Sequence, residues 1–206
     1  IVGPTAIGKT TFSIQLAKAL NTEIISADSR QFFKELSIGT AVPSKEELAA
    51  APHHFIHSHS IKDEYTAGKY EEEALSKIEE LFKIHDNLVL VGGSGLYVDA
   101  LCNGIDEMAG DKKIKQDLIE QHKTEGLYPL ILQLKELDPE YYEKVDRKNP
   151  VRVIRALEVC LATGNPFSSL RKKEPKKRSF EIIKIGLDAD RDIIYNRIDT
   201  RVDQMI

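Results

Sequence analysis

The stretch "GPTAIGKT", residues 3–10, restricts the fold of this 206-residue chain more than any other feature. Gly3, Gly8, Lys9 and Thr10 satisfy the pattern G-x-x-x-x-G-K followed by Ser or Thr without a mismatch. An apolar pair precedes the loop and a helical pattern follows it, with Phe12, Leu16 and Leu20 recurring every four residues. Strand, glycine-rich loop and helix in that order build a phosphate nest: backbone N–H groups and the helix N-terminus face an anion, Lys9 adds positive charge, and the Thr10 hydroxyl is placed to ligate Mg²⁺. The whole run Gly3, Pro4, Thr5, Ala6, Ile7, Gly8, Lys9 and Thr10 is therefore read as a diphosphate or nucleotide site. Ile1 is not a methionine, and the opening "IV" reads as the tail of a strand. The helical pattern of "RVDQMI" likewise runs to Ile206 without a cap, so a fragment of a longer protein is expected.

Further short apolar runs, "EIIS" (23–26), "LVLV" (88–91) and "IIKIGL" (182–187), have the composition of strands buried on both faces of a parallel sheet. Helical patterns lie between them. "YEEEALSKIEELFKIH" (70–85) brings Ala74, Leu75, Ile78, Leu81 and Phe82 to one face. The alternation predicts an α/β fold, a P-loop NTPase-like three-layer parallel sheet with helices on both sides. From Gly104 to Arg178 the rhythm changes to helices: 112–122, 129–137, and 150–163 with Asn149 as N-cap, Pro150 in the first turn and Gly164 as the stop. The expected organisation is a catalytic core of residues 1–103 plus 179–206 and a helical insertion over 104–178.

No apolar run approaches the roughly 20 residues needed to span a bilayer. Cys102 and Cys160 stand far apart in no metal or redox spacing, and no signal peptide is present, so two buried, inert thiols in a cytoplasmic protein are expected. Net charge is −4, but between Arg147 and Arg178 ten Lys or Arg face only Glu158 and Glu174. That segment carries +8 and the remainder −12. The run "RKKEPKKR" (171–178) reads either as a solvated loop or as a surface for a phosphate backbone.

"EIISAD" ends its strand on Asp28, whereas "LVLVGGSG" offers no acid. Asp28 is thus either a metal ligand or something else at the mouth of the loop; an isolated Asp at a strand end can be a turn residue, but Ser29, Arg30 and Gln31 add a hydroxyl, a guanidinium and an amide beside it. The run "PHHFIHSHS" (52–60) carries four histidines, with a metal site conceivable from the His53/His57 and His57/His59 spacings and no Cys or acidic cluster to complete it.

Nine motifs in order resemble the tRNA dimethylallyltransferases, also called tRNA isopentenyltransferases: "GPTAIGKT", "DSRQFF" (28–33), "IGTAVPS" (38–44), "PHHF" (52–55), "VGGSGLY" (91–97), "LDP" (137–139), "NPVRVIRALEV" (149–159), "TGNPFS" (163–168) and "RDIIYNRIDTRVDQM" (191–205). The resemblance implies transfer of a dimethylallyl group from dimethylallyl diphosphate to N6 of the adenosine next to the anticodon, with Mg²⁺ as cofactor and the tRNA anticodon stem-loop as partner. It puts the catalytic aspartate at Asp28 and places Ser94 where the family carries a substrate-contacting threonine, a position that could equally cap the following helix. Arg201 and Arg197 fall on family arginines for the diphosphate. Asp28, Ser29, Arg30, Gln31, Ser94, Lys115, Val151, Arg152, Val153, Ile154 and Arg155 fall on the tRNA side, with base flipping required to reach the target. Three positions depart from the pattern: Ile7 replaces a small or hydroxyl residue, Val151 a glutamine and Lys115 an arginine. Two rivals share the loop: a prenyl transferase for free adenine nucleotides, and a P-loop kinase or ATPase. A monomer is expected.

Overall fold

The computed structural model describes residues 1–106, 108–171 and 174–205. Two compact units emerge, Ile1–Ile105 with Pro175–Ile206, and Asp106–Glu174.

In the first unit, α1 (Lys9–Ala19) leads to β1 (Ile24–Ser26), then α2 (Lys45–Ala50), β2 (His53–His54), α3 (Ala67–Leu81), β3 (Val89–Val91) and α4 (Gly95–Asn103). The strands form a parallel sheet in the order β2-β1-β3, with Ile24 opposite His53 and Val89, and Ser26 opposite Val91. Two cores flank it. Ile14 and Ala17 of α1 pack with Ile24, Ala51, Val89 and Val91, while Ile25, Ala27 and Phe32 pack with Tyr70, Ala74, Ile78 and Leu81 of α3 and Leu101 of α4. The fold is mixed α/β with a small parallel sheet. Tyr70, fully buried, donates its hydroxyl to the Ser26 carbonyl (3.0 Å), and its ring packs against Phe32, Phe55 and Tyr97. This aromatic block forms a rigid floor behind the end of β1.

One expectation changes, and one helix face is resolved in more detail. The run 182–187 contributes a single parallel bridge, Gly186 with Val2, not a strand; Ile183 is 82% exposed. Its partner Val2 is followed at once by Gly3 at φ 154°, which turns the chain out of the ladder and into the loop. In α1 the buried face is Ser13, Ile14 and Ala17, while Leu20 is exposed. A four-residue repeat drifts by about 40° per step on a helix of 3.6 residues per turn, so Leu16 packs at the edge of the core and Leu20 winds off to the surface. The small Ser13 and Ala17 let α1 lie close on the sheet.

The second unit consists of α5 (Lys112–Glu125), α6 (Tyr128–Leu137), α7 (Pro139–Lys144), α8 (Pro150–Thr163) and α9 (Phe167–Leu170). The three expected helices form here, and α8 begins and ends as its caps require: the Asn149 side chain accepts from Arg152 N, and Gly164 stops it at φ 70°. Leu118, Leu130, Leu134, Val153, Ile154 and Leu157 form its core. At the centre of the polar framework is Asp138 of "LDP", 1% exposed, which accepts from Tyr141 N (2.9 Å) and from both the backbone N (2.7 Å) and hydroxyl (2.7 Å) of Ser168 in "TGNPFS". One carboxylate thus caps α7 and anchors α9. Asp138→Ala is expected to lower unfolding stability by about 3 kcal/mol, because it strands buried donors as well as removing a charged acceptor. Denaturant unfolding checks this. The last helix of the chain, α10 (Arg191–Met205), belongs to the first unit. Cys102 and Cys160 are buried free thiols, and burial pushes both thiols up in pKa. No helix among the described residues is long and apolar enough to cross a membrane.

Candidate active site

Residues of the phosphate loop, the ends of β1 and β3, the segment after Asp28, and one face of α10 line a single open cavity of about 910 Å³ in the first unit. Its position at the carboxyl ends of parallel strands is where open α/β sheets place their ligands. The loop reaches its shape through Gly3 (φ 154°), Ala6 (φ 59°) and Gly8 (φ 100°), with Gly8 as the N-cap of α1 and no side-chain hydrogen bond capping it. A Cβ on Gly3 would lie 2.6 Å from the Leu187 carbonyl oxygen.

The cations converge on this loop. Lys9 Nζ donates to the carbonyls of Gly3 (2.9 Å) and Pro4 (2.7 Å), Arg197 donates to the Ile7 carbonyl (3.1 Å), and Arg201 donates to the Thr5 hydroxyl (3.2 Å). Burial lowers the Lys9 pKa, the Arg201 charge lowers it further, and Asp28 opposes both. Like charges held together at a helix N-terminus present a site for an anion, which would relieve their repulsion. The side of α10 that faces the cavity is the stripe Ile193, Asn196, Arg197, Thr200 and Arg201. The four-residue spacing of the two arginines was legible in the sequence; Asn196 and Thr200 were not singled out, although the 3.6-residue period places them on the same face.

Across the cavity, Asp28 Oδ1 accepts from the backbone N–H groups of Arg30 (3.0 Å) and Gln31 (3.4 Å), closing a turn over "DSRQ". The other oxygen, Oδ2, faces Gly93, where a Cβ would lie 3.1 Å away. Ser94 does not cap α4 with its side chain. Its hydroxyl accepts from Ser29 N (2.9 Å) and donates to Ser29 Oγ (2.8 Å), tying β3's end to the turn after β1. Gln31 Nε2 donates to the carbonyls of Thr40 (3.2 Å) and Ala41 (2.9 Å), so its amide N–H groups hold the "IGTAVPS" segment against the cavity. Arg30 is exposed.

Gly92 has a separate role. A Cβ there would lie 2.1 Å from the Ala27 carbonyl oxygen, so the two strand ends meet only if residue 92 has no side chain. Gly92→Ala is expected to cost about 3 kcal/mol or more of stability, since the obstacle is backbone. A thermal melt equal to that of the unaltered chain would contradict it.

Lys115, Val151 and Arg152 are exposed in the second unit, whereas the Val153 and Ile154 side chains are buried in its core. Arg155 pairs with Glu158 (2.9 Å) and donates to the Met108 carbonyl (3.1 Å). Within the basic run, Lys172 and Lys173 lie outside the described residues, Arg171, Lys176 and Lys177 are exposed, and Arg178 turns inward to Glu71. Among the described residues no group of three or more His, Cys, Asp or Glu is arranged to hold a metal. The histidines are dispersed: His54 bonds Glu23 (2.5 Å), His59 stacks on Tyr65 and pairs with Glu73 (3.3 Å), and His53 donates from Nδ1 to the Ala51 carbonyl (2.8 Å) on the cavity wall. Val42 and Pro43 of "IGTAVPS", His53 of "PHHF" and Ile56 also line the cavity, positions not named as site residues from the sequence.

The sequence model of a family described as IPP transferase matches residues 31–206. A tRNA dimethylallyltransferase of Christiangramia forsetii is 54% identical over the whole of this chain, which covers 68% of that relative; one from Flavobacterium johnsoniae is 53% identical, with 69% of it covered. Among solved structures, the tRNA isopentenylpyrophosphate transferase of Bacillus halodurans is 35% identical with a TM-score of 0.60, over 98% of this chain and 63% of that one. A eukaryotic dimethylallyltransferase described as acting on tRNA is 28% identical with a TM-score of 0.79, over 98% and 51%. The chain thus spans about two thirds of the length of its bacterial relatives. With most of its length matched by the family's model and more than half of its residues shared with a named member, this chain belongs to the IPP transferase family, that of the tRNA dimethylallyltransferases.

Proposed function

We propose that the chain is a tRNA dimethylallyltransferase whose phosphate loop holds the leaving group of dimethylallyl diphosphate. The observation that carries this reading is the convergence of Lys9, Arg197 and Arg201 on the loop, in the cavity that also contains Asp28. The sheet and loop are read as the P-loop type of three-layer α/β core, and the second unit as the part that grips the tRNA. The protein is read as a cytoplasmic monomer.

The chemistry follows from what each group can do. The lone pair of adenine N6 forms a bond to C1 of the dimethylallyl group as the C1–O bond breaks, and that bond's electrons leave on the diphosphate. Negative charge therefore grows where Lys9, Arg197, Arg201 and the loop N–H groups are gathered, so these groups stabilise the transition state more than the ground state. The proton released from N6 passes to the Asp28 carboxylate; its turn hydrogen bonds hold Oδ1 and leave Oδ2 directed across Gly93. The Ser94–Ser29 hydroxyl pair fixes the neighbouring wall. Val42, Pro43 and Ile56 offer an apolar surface for the hydrocarbon. The Thr10 hydroxyl and the Asp28 carboxylate line the same cavity, and oxygen donors of this kind suit a hard divalent cation. Thr10 would hold Mg²⁺ with the donor's oxygens, and the ion would add positive charge at the departing diphosphate.

The experiment offers dimethylallyl diphosphate with equal amounts of adenosine monophosphate and an anticodon stem-loop RNA. The expected result is prenylation of the RNA. Preferential prenylation of the free nucleotide would contradict the assignment of the acceptor.

A further inference from the structure

The first unit contains an ion-pair cluster outside the cavity lining, with the Glu71 and Arg178 side chains buried and the Lys176 side chain 43% exposed, and it lies where the chain leaves that unit and returns to it. Glu71, on α3, is 7% exposed. Its Oε2 accepts from Ile105 N (2.8 Å), the last residue before the chain passes into the second unit. Its Oε1 accepts from Arg178 Nη2 (2.8 Å) and from Lys176 Nζ (3.4 Å), residues just after the chain returns at Pro175. The two crossings also bond to each other, Lys176 N donating to the Asn103 carbonyl at 2.7 Å. The Lys176 side chain lies over Gly104, where a Cβ would be 2.5 Å from it. Arg178 completes the arrangement by donating to the carbonyls of Ala100 (2.8 Å) and Leu101 (2.9 Å), the last turn of α4.

A buried ion pair is a weak source of stability, because desolvating both charges offsets most of their attraction. Specificity of geometry is its better-attested use. Here one carboxylate fixes two chain segments that are 70 residues apart in sequence and that together form the whole covalent attachment of the helical unit. We infer that Glu71 is a positioning residue for the RNA acceptor: by pinning both crossings it removes freedom that would otherwise have to be lost each time RNA is bound. This rests on the reading of the second unit as the tRNA-gripping part. It also assigns Arg178, out of the basic run, to the anchor instead of to the phosphate backbone.

The test compares wild type with Glu71→Gln in the full-length protein. Glutamine keeps the shape and an acceptor for Ile105 N but loses the charge that holds Arg178 and Lys176. The expected result is a rise in KM for the stem-loop RNA of about tenfold, as ordering entropy is transferred to the binding step, with KM for dimethylallyl diphosphate and kcat at saturating RNA within about twofold of wild type. Amide exchange should quicken at residues 104–106 and 175–178. An RNA KM within twofold of wild type, or unaltered exchange at the crossings, overturns the inference. If Glu71→Gln does not fold, the double variant Glu71→Met with Arg178→Met removes both charges at similar volume; the RNA defect is expected to persist in it, and a wild-type RNA KM there also overturns the inference. Wild type inactive on the stem-loop would overturn the functional reading together with the inference, whereas an active wild type and an unaltered variant would overturn the inference alone.

Discussion

Asp28→Asn is expected to lower single-turnover prenylation by a factor of about 10²–10⁴, the usual worth of a positioned general base, while leaving the fold and donor binding nearly intact. The amide oxygen of asparagine can take the place of Oδ1 and accept from Arg30 N and Gln31 N, so the turn over "DSRQ" survives. What disappears is the basic oxygen across from Gly93. Position and chemistry are thereby separated in one substitution. A variant within threefold of wild type would remove Asp28 from the proton-transfer step.

Lys9→Ala is expected to cost about 10²–10³ in kcat, the scale measured when one preorganised donor to a developing negative charge is deleted. The loss should appear in KM for dimethylallyl diphosphate as well, since the ammonium meets the ground-state diphosphate too, but RNA affinity should be unchanged. Folding should be insensitive. The carbonyls of Gly3 and Pro4 that Lys9 holds lie at the exposed loop and can turn to water when it is gone. Steady-state kinetics in each substrate, with RNA affinity measured separately, separates these effects. Lost RNA affinity with unchanged donor kinetics would assign Lys9 to the wrong substrate.

Local chemistry explains which parts of this fold could be read from the chain. The glycine turn before α1, the Asn149–Pro150 start of α8 and its Gly164 stop are dictated by backbone requirements that only a few residue types satisfy, and these backbone features form where the sequence puts them. Patterns that depend on what lies opposite were less legible. "IIKIGL" has strand composition, yet a single bridge forms because Gly3 turns its partner segment away. Phe12, Leu16 and Leu20 mark a helix without showing that its fully buried positions are Ser13, Ile14 and Ala17, which are set by what fits the sheet. The basic run shows the same limit for charge. A sequence displays Lys176 and Arg178 as cations, and only the fold reveals Glu71, more than 100 residues earlier, as their partner. In "NPVRVIRALEV" the helical period separates the exposed Val151 and Arg152 from the buried Val153 and Ile154, which a motif match alone does not distinguish.

In the proposed reaction the loop over residues 3–10 holds a leaving group and not a fuel. The most direct measurement mixes the full-length protein with dimethylallyl diphosphate and an anticodon stem-loop RNA in the absence of ATP, and quantifies released diphosphate and prenylated adenosine. The expected result is one diphosphate released per N6-prenylated adenosine with no nucleotide required. Prenylation that depends on ATP, or ATP hydrolysis without prenyl transfer, would contradict the account.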